Sequence, residues 1–489
     1  MSEATIILIT LVVYKIGLLG IGLWASRRIG DEQDFFLASG SRGGGLNAWT
    51  AGLSYAASTS SAWVLLGFTG IVFTQGLVGL WLIPGIFGGY VMTWLVMGPR
   101  LHEQSKLHGH VTIIDFVVQG MTGSAKRVTG LLCAALILFC FVFYISSQFQ
   151  AAGNALETAF GLRATEAIGL GAVIIVIYCL LGGFWAASVT DALQAAVMML
   201  ACILVPIATL NAAGGFGRVI DTLHAEQPMT YFSLTGGAAG MIGLGVAMGL
   251  LGTGLGALGQ PQLLNRIMAV RSQAERRRGA AITIGWGVII YSGLITLAFS
   301  ARALNVDVGG ESLFFAAAQA YLPSVVAGVV IAAVLSAVMS TVDSLLLAAA
   351  SAVSHDSGFH YTSPQRALFY GRLAMIGVAV FAVILTLTLP KDIFSRVLFS
   401  WVALGAAFGP VILLKCLGWS FQDGAVPAAI AAGFLIAVLS YNGEAIFGIN
   451  AGGTGSAVFE LTEKWLSWIA GLVILWAGRI KTLPTPQTP

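Results

Sequence analysis

The stretch GLSYAASTSSAWVLLG, residues 52–67, decides how this chain folds. It lies in the middle of a long apolar segment, and an apolar segment of helix-spanning length predicts a helix in lipid. It nevertheless carries a run of hydroxyl side chains: Ser54, Ser58, Thr59, Ser60 and Ser61. A serine run in a membrane helix also bonds back to its own helix or holds neighbouring helices together, so a second oxygen-rich segment is needed before a site can be inferred.

The composition places the whole chain in a membrane. Of 489 residues 57% are hydrophobic and 9% are charged, and apolar runs of helix-spanning length recur from end to end. Because lipid offers no hydrogen-bond partners and the runs are longer than barrel strands, they predict an all-α polytopic bundle. The net charge of +3 is small and dispersed, which argues against nucleic-acid binding. We expect residues 1–489 to form a single membrane domain in the plasma (inner) membrane, in contact with the lipid bilayer.

The apolar runs predict thirteen spans. They cover residues 4–25, 46–74, 76–98, 128–155, 165–183, 187–211, 236–258, 279–301, 324–352, 368–389, 395–417, 424–441 and 464–480. With the N-terminus outside, seventeen Lys and Arg residues fall on the cytoplasmic side and six on the other, while Lys15 stays in the first span. By the positive-inside rule the N-terminus is outside and the C-terminus cytoplasmic.

Other function classes find little support in the sequence. All five cysteines lie in or at the edge of apolar runs without metal-ligand spacing, and the six histidines show no zinc spacing. The connections are too short for a catalytic or signalling domain, so we expect no enzyme, no cofactor, and no sensor with an output module. A channel is disfavoured because no span shows a ring of like charges or a filter-like loop.

Two groups of five spans predict an inverted repeat, the architecture of many transporters. Spans 2–6 occupy residues 46–211, spans 7–11 occupy residues 236–417, and residues 4–25 and 424–480 supply peripheral spans. Span 2 holds the hydroxyl stretch, and span 7 contains GLGVAMGLLGTGLGALGQP, residues 243–261. Glycine weakens a helix by up to about 1 kcal/mol per residue, which favours local unwinding. Close packing through small residues is the alternative role of these glycines.

A second oxygen-rich strip lies in span 9. The segment VLSAVMSTVDSLLLAAAS, residues 334–351, contains Ser340 and Ser344 one turn apart on one face, with Thr341 and Asp343 beside them. Freed carbonyls and hydroxyls at an unwound helix suit a hard monovalent cation such as sodium. Acids inside spans indicate function, and Asp191 in span 6 is the second one. For Asp191 a first-turn carboxylate at a helix N-terminus is the alternative.

The chain resembles the sodium/solute symporter family, and it is most similar to bacterial sodium/proline symporters. The resemblance runs through DFFLASGSRGG, SAWVLLGFTGIVF, GGFWAASVTDALQ, GQPQLLNRIMA, SAVMSTVDSLLL and GAAFGPVILL, in this order. It implies a leucine-transporter-like fold and a sodium-coupled symporter of a small organic solute that works by alternating access. The partners implied are therefore a sodium ion and that solute.

The resemblance also implies site residues. The family's shared sodium site falls on Ala57, Ser60, Ala337, Ser340 and Thr341, and a further sodium site of some members falls on Asp191, Ser340, Asp343 and Ser344. Here Asp343 replaces a serine, and the extra acid could strengthen a cation site or take up a proton. Substrate-binding positions fall on Ser61, Trp63, Tyr144, Thr253, Ala257 and Pro261.

The expected solute pocket departs from that of the sodium/proline symporters. Thr59 stands where they have aspartate, and Thr253 and Ala257 stand where they have tryptophan and tyrosine. The loss of two aromatic side chains leaves more room, so we expect an amino acid or a similar compound, either proline or a larger relative. A sugar or small carboxylate as solute, and a proton-coupled or uncoupled permease of the same fold, remain the alternatives.

Overall fold

The computed structural model describes residues 3–26, 36–37, 44–181, 183–356, 364–389, 392–448 and 454–480. Within these ranges the chain is helical, and the β-type pairings are two isolated bridges, Leu46 with Val270 and Phe421 with Arg479. The predicted all-α class is therefore confirmed. Some charges in the topology argument lie outside the described residues: Arg27, Arg28, Arg42, Lys391 and Lys481.

The α-helices follow one another with short connections. They are α1 (Glu3–Ser26), α2 (Ala48–Thr59), α3 (Thr69–Gln75), α4 (Leu82–Val91), α5 (Gly98–His108), α6 (Ile113–Val118), α7 (Gly123–Phe160), α8 (Ala164–Leu181), α9 (Phe184–Ala212), α10 (Phe216–Glu226), α11 (Gly240–Gly252), α12 (Pro261–Met268), α13 (Gln273–Ala303), α14 (Leu313–Tyr321), α15 (Ser324–Ser354), α16 (Pro364–Thr388), α17 (Ile393–Cys416), α18 (Ala425–Tyr441), α19 (Gly443–Phe447), α20 (Thr454–Leu461) and α21 (Ser467–Ala477). Segments of π-helix span Trp63–Phe68, Met92–Met97 and Thr462–Leu466, and 3₁₀ segments span Gly76–Trp81, Met229–Phe232, Thr253–Gly259 and Gly310–Ser312.

Eight helical stretches of the described chain are long and apolar enough to cross a membrane. Three shorter apolar helices accompany them, within residues 7–21, 164–180 and 425–441. Many large apolar side chains on these helices are exposed, as lipid contact requires. The chain is therefore built as a multi-pass membrane protein, whereas the count of thirteen spans and the placement of the two termini stay predictions.

Two predicted spans have different limits in the structure. The predicted span 7 ends at residue 258, but the chain turns at Gln260 and continues as α12 to Met268, because proline at the first helical position is compatible with a new helix start. The predicted span 13 begins at residue 464, but helical structure starts at Thr454. The charged side chains of Glu460, Glu463 and Lys464 therefore lie inside that helical segment, where they form ion pairs.

The helices that carry the predicted sites occupy the centre of the molecule. Helix α2 packs against α9 and α13, and α15 packs against α7 and α9. The 3₁₀ segment Thr253–Gly259 packs against α17. Asn47 caps α2, its side-chain oxygen accepting from Thr50 N at 2.9 Å, and Glu275 at the start of α13 accepts from Ala48 N at 2.5 Å. These contacts fix the helix that leads into the hydroxyl stretch.

Candidate functional site

The hydroxyl stretch is the place where span 2 stops being helical. Helix α2 ends at Thr59, and Ser60 caps it with φ −96° and ψ 46°, its N–H donating to Ala56 O at 2.9 Å. The next backbone bond along the chain joins Val64 N to Ser61 O at 3.0 Å. Around this break no backbone N–H from the following turn reaches the carbonyls of Ala57 and Ser58. The break therefore supplies unpaired carbonyl oxygens in the protein interior.

The predicted oxygens of span 9 converge on one point of α15. The hydroxyls of Ser340 and Thr341 both donate to Ala337 O, at 3.1 and 2.9 Å. All three residues are fully buried. A carbonyl and two hydroxyls on one helix face are the kind of neutral, hard ligands that alkali cations prefer. In the structure both hydroxyls lie within hydrogen-bond distance of the same carbonyl oxygen.

Helices α2 and α15 meet beside these oxygens. Ser58 Oγ lies 3.0 Å from Ser344 Oγ, one turn along α15 from Ser340. Ala57 and Ser60 are fully buried on the facing segment. The residues of the expected shared sodium site thus occupy two contacting elements, and all of them are shielded from solvent.

A buried ion pair lies next to this contact. Arg266 of α12 and Asp191 of α9 are each 1% exposed, and Arg266 Nη2 lies 2.8 Å from Asp191 Oδ2. Ser54 Oγ donates to the same carboxylate oxygen at 2.7 Å and accepts from Arg266 Nε at 2.7 Å. Arg266 also donates to Ser344 Oγ and to Gln262 O. One guanidinium therefore ties together four segments of the fold.

The second acid, Asp343, is buried beside this pair. It is 2% exposed, and the Cys179 thiol of α8 donates to it. The Oδ1 atoms of both Asp191 and Asp343 are buried, and neither has a hydrogen-bond partner. Two carboxyl groups thus face a single guanidinium. The predicted further sodium site, Asp191, Ser340, Asp343 and Ser344, is assembled on α9 and α15, but Arg266 already contacts two of its four side chains.

The predicted solute residues line the other side of the break. Tyr144 OH donates to Ser61 Oγ at 3.3 Å, and Trp63 Nε1 donates to Thr59 O at 3.1 Å. On the span 7 side, Thr253 O accepts from Trp401 Nε1 at 2.9 Å. The rings of Trp401 and Tyr144 lie 6.5 Å apart and nearly perpendicular, so this pair links the two sides. Ala257 and Pro261 follow Thr253 on the same buried segment.

Three further residues belong to this region, although the sequence did not single them out. Gln148 of α7 accepts from Ala62 N at 3.3 Å, directly at the break. Trp401 of α17 fills the space beside Gly256. Arg266 lies on α12, beyond the predicted limit of span 7. A glutamine inside an apolar run was the available signal for Gln148. No local sequence signal distinguishes Arg266 from a solvated arginine, since its partner lies 75 residues away.

Comparisons with known proteins agree with this geometry. The model of the sodium:solute symporter family matches residues 35–431. The sodium/proline symporter of Escherichia coli K12 is 29% identical over 484 residues, covering 95% of this chain and 94% of the relative. The osmoregulated proline transporter OpuE of Bacillus subtilis is 31% identical over 481 residues, covering 96% and 94%. The high-affinity proline transporter PutP of Bacillus subtilis is 31% identical over 404 residues, covering 81% and 84%.

A solved structure of a Na⁺-coupled sialic acid symporter, in a substrate-bound outward-open state, superposes with a TM-score of 0.76. It is 16% identical and covers 98% of this chain and 99% of that chain, so it shows a shared fold and no more. The sodium/proline symporters match over nearly the whole length, and the family model covers most of the chain. This chain therefore belongs to the sodium:solute symporter family.

Proposed function

We propose that this protein is a sodium-coupled symporter that takes up a small, amino-acid-like organic solute by alternating access. The observation that carries the proposal is the break at Ser60 and Ser61, which faces the span 9 oxygens on one side and Tyr144 on the other. A single unwound segment can then contact both the ion and the solute. The relatives that transport proline support an amino-acid-like solute.

The shared sodium site of the proposal consists of the carbonyls of Ala57, Ser60 and Ala337 with the hydroxyls of Ser340 and Thr341. Its support is twofold: the Ala57 carbonyl has lost its helical partner, and the span 9 groups converge. The oxygens are neutral, so the site suits a monovalent ion and imposes little repulsion when it is empty. All five residues are buried, which strengthens ion–dipole attraction.

The further sodium site of the proposal rests on charge. Asp191 and Asp343 together bring two carboxyl groups to Arg266, and their Oδ1 atoms have no partner. Uncompensated buried charge is costly, so a cation beside these atoms would be favourable. Ser340 and Ser344 supply the neutral oxygens of this site. We therefore propose that sodium also binds here, with Arg266 balancing the remaining charge.

Alternating access would separate spans 2, 3, 7 and 8 from the remaining helices. The ion pair crosses this boundary. Arg266 lies on α12, which continues span 7, and Ser54 lies on span 2, whereas Asp191 and Ser344 lie on spans 6 and 9. These contacts would hold the predicted cytoplasmic side closed, and they would have to break for the solute to leave inward. Movement of spans 2, 3, 7 and 8 as one unit would thus be opposed by one well-defined interaction.

The solute pocket of the proposal is lined by Ser61, Trp63, Tyr144, Thr253, Ala257 and Pro261. Thr253 and Ala257 carry short side chains where the sodium/proline symporters have large aromatic ones, and this favours proline or a larger relative. The test is uptake of radiolabelled proline into proteoliposomes with an inward sodium gradient. Replacing external sodium with choline at constant ionic strength should abolish accumulation. Equal accumulation in both conditions, or accumulation driven by a proton gradient alone, would overturn sodium coupling.

A further inference from the structure

A cavity of about 260 Å³ lies among helix ends on the predicted cytoplasmic side, and the function proposed above does not use it. Two of its lining residues are cationic, Arg100 of α5 and Lys415 of α17, and no acidic residue is among the described residues that line it. We call it the basic cavity. Its other lining residues are Gln104, Phe116, Gln119, Gly120, Met121, Gly418, Trp419, Ser420, Phe421, Val426 and Ile480.

The Lys415 ammonium is held by neutral groups. It donates to the carbonyls of Phe116, Val117 and Gln119, at 3.2, 2.5 and 2.8 Å, where α6 ends. Carbonyl oxygens position an ammonium group but leave its full charge in place. Within the described ranges of the chain, no carboxylate forms an ion pair with Lys415 or Arg100. An anion in the basic cavity would therefore be favourable.

A third cation is fixed at the edge of the basic cavity. The Arg479 guanidinium lies over the ring of Trp419, 4.0 Å from its centroid. The backbone on either side is paired, through the bridge between Phe421 and Arg479 and through Ile480 N, which donates to Ser420 O at 2.9 Å. Stacking and backbone pairing thus place the Arg479 charge beside a ring that lines the cavity.

The position of the basic cavity indicates what kind of anion it would meet. Helix α17 ends at Cys416 and α21 ends at Ala477, so the cavity lies where the spans leave the membrane. Large apolar side chains are exposed at the same helix ends, namely Leu417, Trp476 and Ile480. Exposed apolar and tryptophan side chains are typical of the boundary between acyl chains and headgroups. Anionic lipids carry their charge at this depth, and basic pockets between helices on the cytoplasmic side bind such headgroups.

We propose that the basic cavity binds the negatively charged headgroup of an anionic phospholipid through Arg100, Lys415 and Arg479. The acyl chains would then lie against the exposed side chains of Leu417 and Trp476. A lipid bound in this way joins the ends of spans 3, 11 and 13. The inference goes beyond the proposed function, because it holds whether or not transport is coupled to sodium.

The experiment titrates the whole chain, purified in a neutral detergent, with dioctanoyl phosphatidylglycerol. Native mass spectrometry measures the bound lipid, and thermal unfolding measures the stability that the lipid adds. Dioctanoyl phosphatidylcholine, with the same acyl chains and no net charge, and inorganic phosphate are titrated in parallel at constant ionic strength.

The variants are Arg100→Gln and Arg479→Gln, whereas Lys415 is kept because it also holds α6. The matched control is Arg277→Gln, which removes the same charge from an exposed arginine of α13, a helix that contributes no residue to the basic cavity. Arg100→Lys keeps the charge of Arg100 and separates the loss of a cation from damage to the fold.

Wild type should bind phosphatidylglycerol at least about fivefold more tightly than phosphatidylcholine. Arg100→Gln and Arg479→Gln should each raise the dissociation constant for phosphatidylglycerol by about fivefold, since each removes one basic residue near the headgroup. Arg277→Gln should bind this lipid like wild type, and Arg100→Lys should stay within about twofold of wild type.

Three results would overturn the inference. Equal affinities of wild type for the two lipids would mean that no anionic headgroup is recognised. Equal losses of affinity in Arg100→Gln, Arg479→Gln and Arg277→Gln would show that net charge, rather than the basic cavity, attracts the lipid. Inorganic phosphate that stabilises wild type as strongly as phosphatidylglycerol at the same concentration would assign the cavity to a soluble anion instead of a lipid.

Discussion

Arg266 and Asp191 form an ion pair of 2.8 Å in which both side chains are 1% exposed. Removing one partner leaves the other charge buried, and this typically costs about 3–5 kcal/mol. We expect Arg266→Gln and Asp191→Leu each to lower the unfolding temperature strongly, and the double variant to be more stable than Arg266→Gln alone. Circular dichroism during heating measures this.

The control for this prediction is Arg278→Gln, since Arg278 lies 3.5 Å from Glu275 but is 74% exposed. An exposed ion pair contributes little to stability, so its loss should leave the unfolding temperature nearly unchanged. If Arg266→Gln unfolds at the same temperature as Arg278→Gln, the buried ion pair does not stabilise the contact between these helices.

The span 9 hydroxyls give a second prediction. Replacing Ser340 and Thr341 together with alanine removes two ligands of the proposed shared sodium site. The sodium concentration for half-maximal uptake should rise at least about tenfold, equivalent to about 1.4 kcal/mol. Uptake at graded sodium measures it. Ser351→Ala is the control, because Ser351 Oγ donates to Ala348 O on the same helix at 2.9 Å, away from the site. Unchanged sodium dependence of uptake in the folded double variant would contradict the proposed shared sodium site.

The third prediction concerns solute choice. Ala257→Tyr restores a large side chain next to the proposed pocket, so it should block uptake or restrict it to smaller solutes. Competition of a panel of amino acids against labelled proline measures the change. Ala257→Ser changes little volume and serves as the control. An identical competition profile for Ala257→Tyr and wild type would place the solute elsewhere.

The fourth prediction is reciprocal coupling. If sodium orders the segment around Ser60 and Ser61, the solute no longer bears that ordering cost. A coupling of about 1–3 kcal/mol would tighten solute binding by roughly 5- to 150-fold in saturating sodium, and solute should tighten sodium equally. Calorimetric titration of proline, with choline replacing sodium, measures both. Equal proline affinities in the two salts would contradict the coupling.

The fifth prediction concerns Asp115, outside the membrane-spanning helices. Burial raises the pKa of this carboxyl, but the hydrogen bond and charge of His355, with the N–H groups of Val111 and Thr112, outweigh burial and hold the pKa below its ordinary value. A depressed pKa stabilises the fold above the pKa of an unfolded aspartate, about 4, and this contribution is lost as the pH falls below it.

Asp115→Asn should therefore lower the free energy of unfolding at pH 7 by roughly 1 kcal/mol, as is typical of a lost helix cap. The unfolding temperature should fall accordingly. The difference from wild type should shrink as the pH falls from about 4 toward the lower folded-state pKa of Asp115, where the wild-type carboxyl takes up a proton and loses its charge. Unfolding temperatures from pH 3.5 to 8 measure this. A difference that stays constant over the whole range would mean that the charge of Asp115 is not involved.

The sequence predicted what depends on local pattern. The break at Ser60 was foreseeable because hydroxyls cluster inside an apolar run, and the break at Gln260 was foreseeable in outline because glycines precede Pro261. Pairings between distant segments were not foreseeable. Arg266 meets Asp191 only because α12 turns back into the protein after Gln260, a direction that residue spacing does not encode.

The glycines of the Thr253–Gly259 segment limit how the solute preference of this protein can evolve. A side chain at Gly254 would collide with the backbone of Gly85, one at Gly256 with the Trp401 ring, and one at Gly259 with the backbone of α17. A side chain at any of these three positions would push packed helices apart and destabilise the fold. These glycines therefore cannot be replaced to reshape the pocket. Thr253 and Ala257 are the residues of the proposed pocket on this segment, and both already carry a side chain. A change in solute preference should therefore arise through substitutions of Thr253 and Ala257. Directed evolution for altered uptake should begin at these two positions.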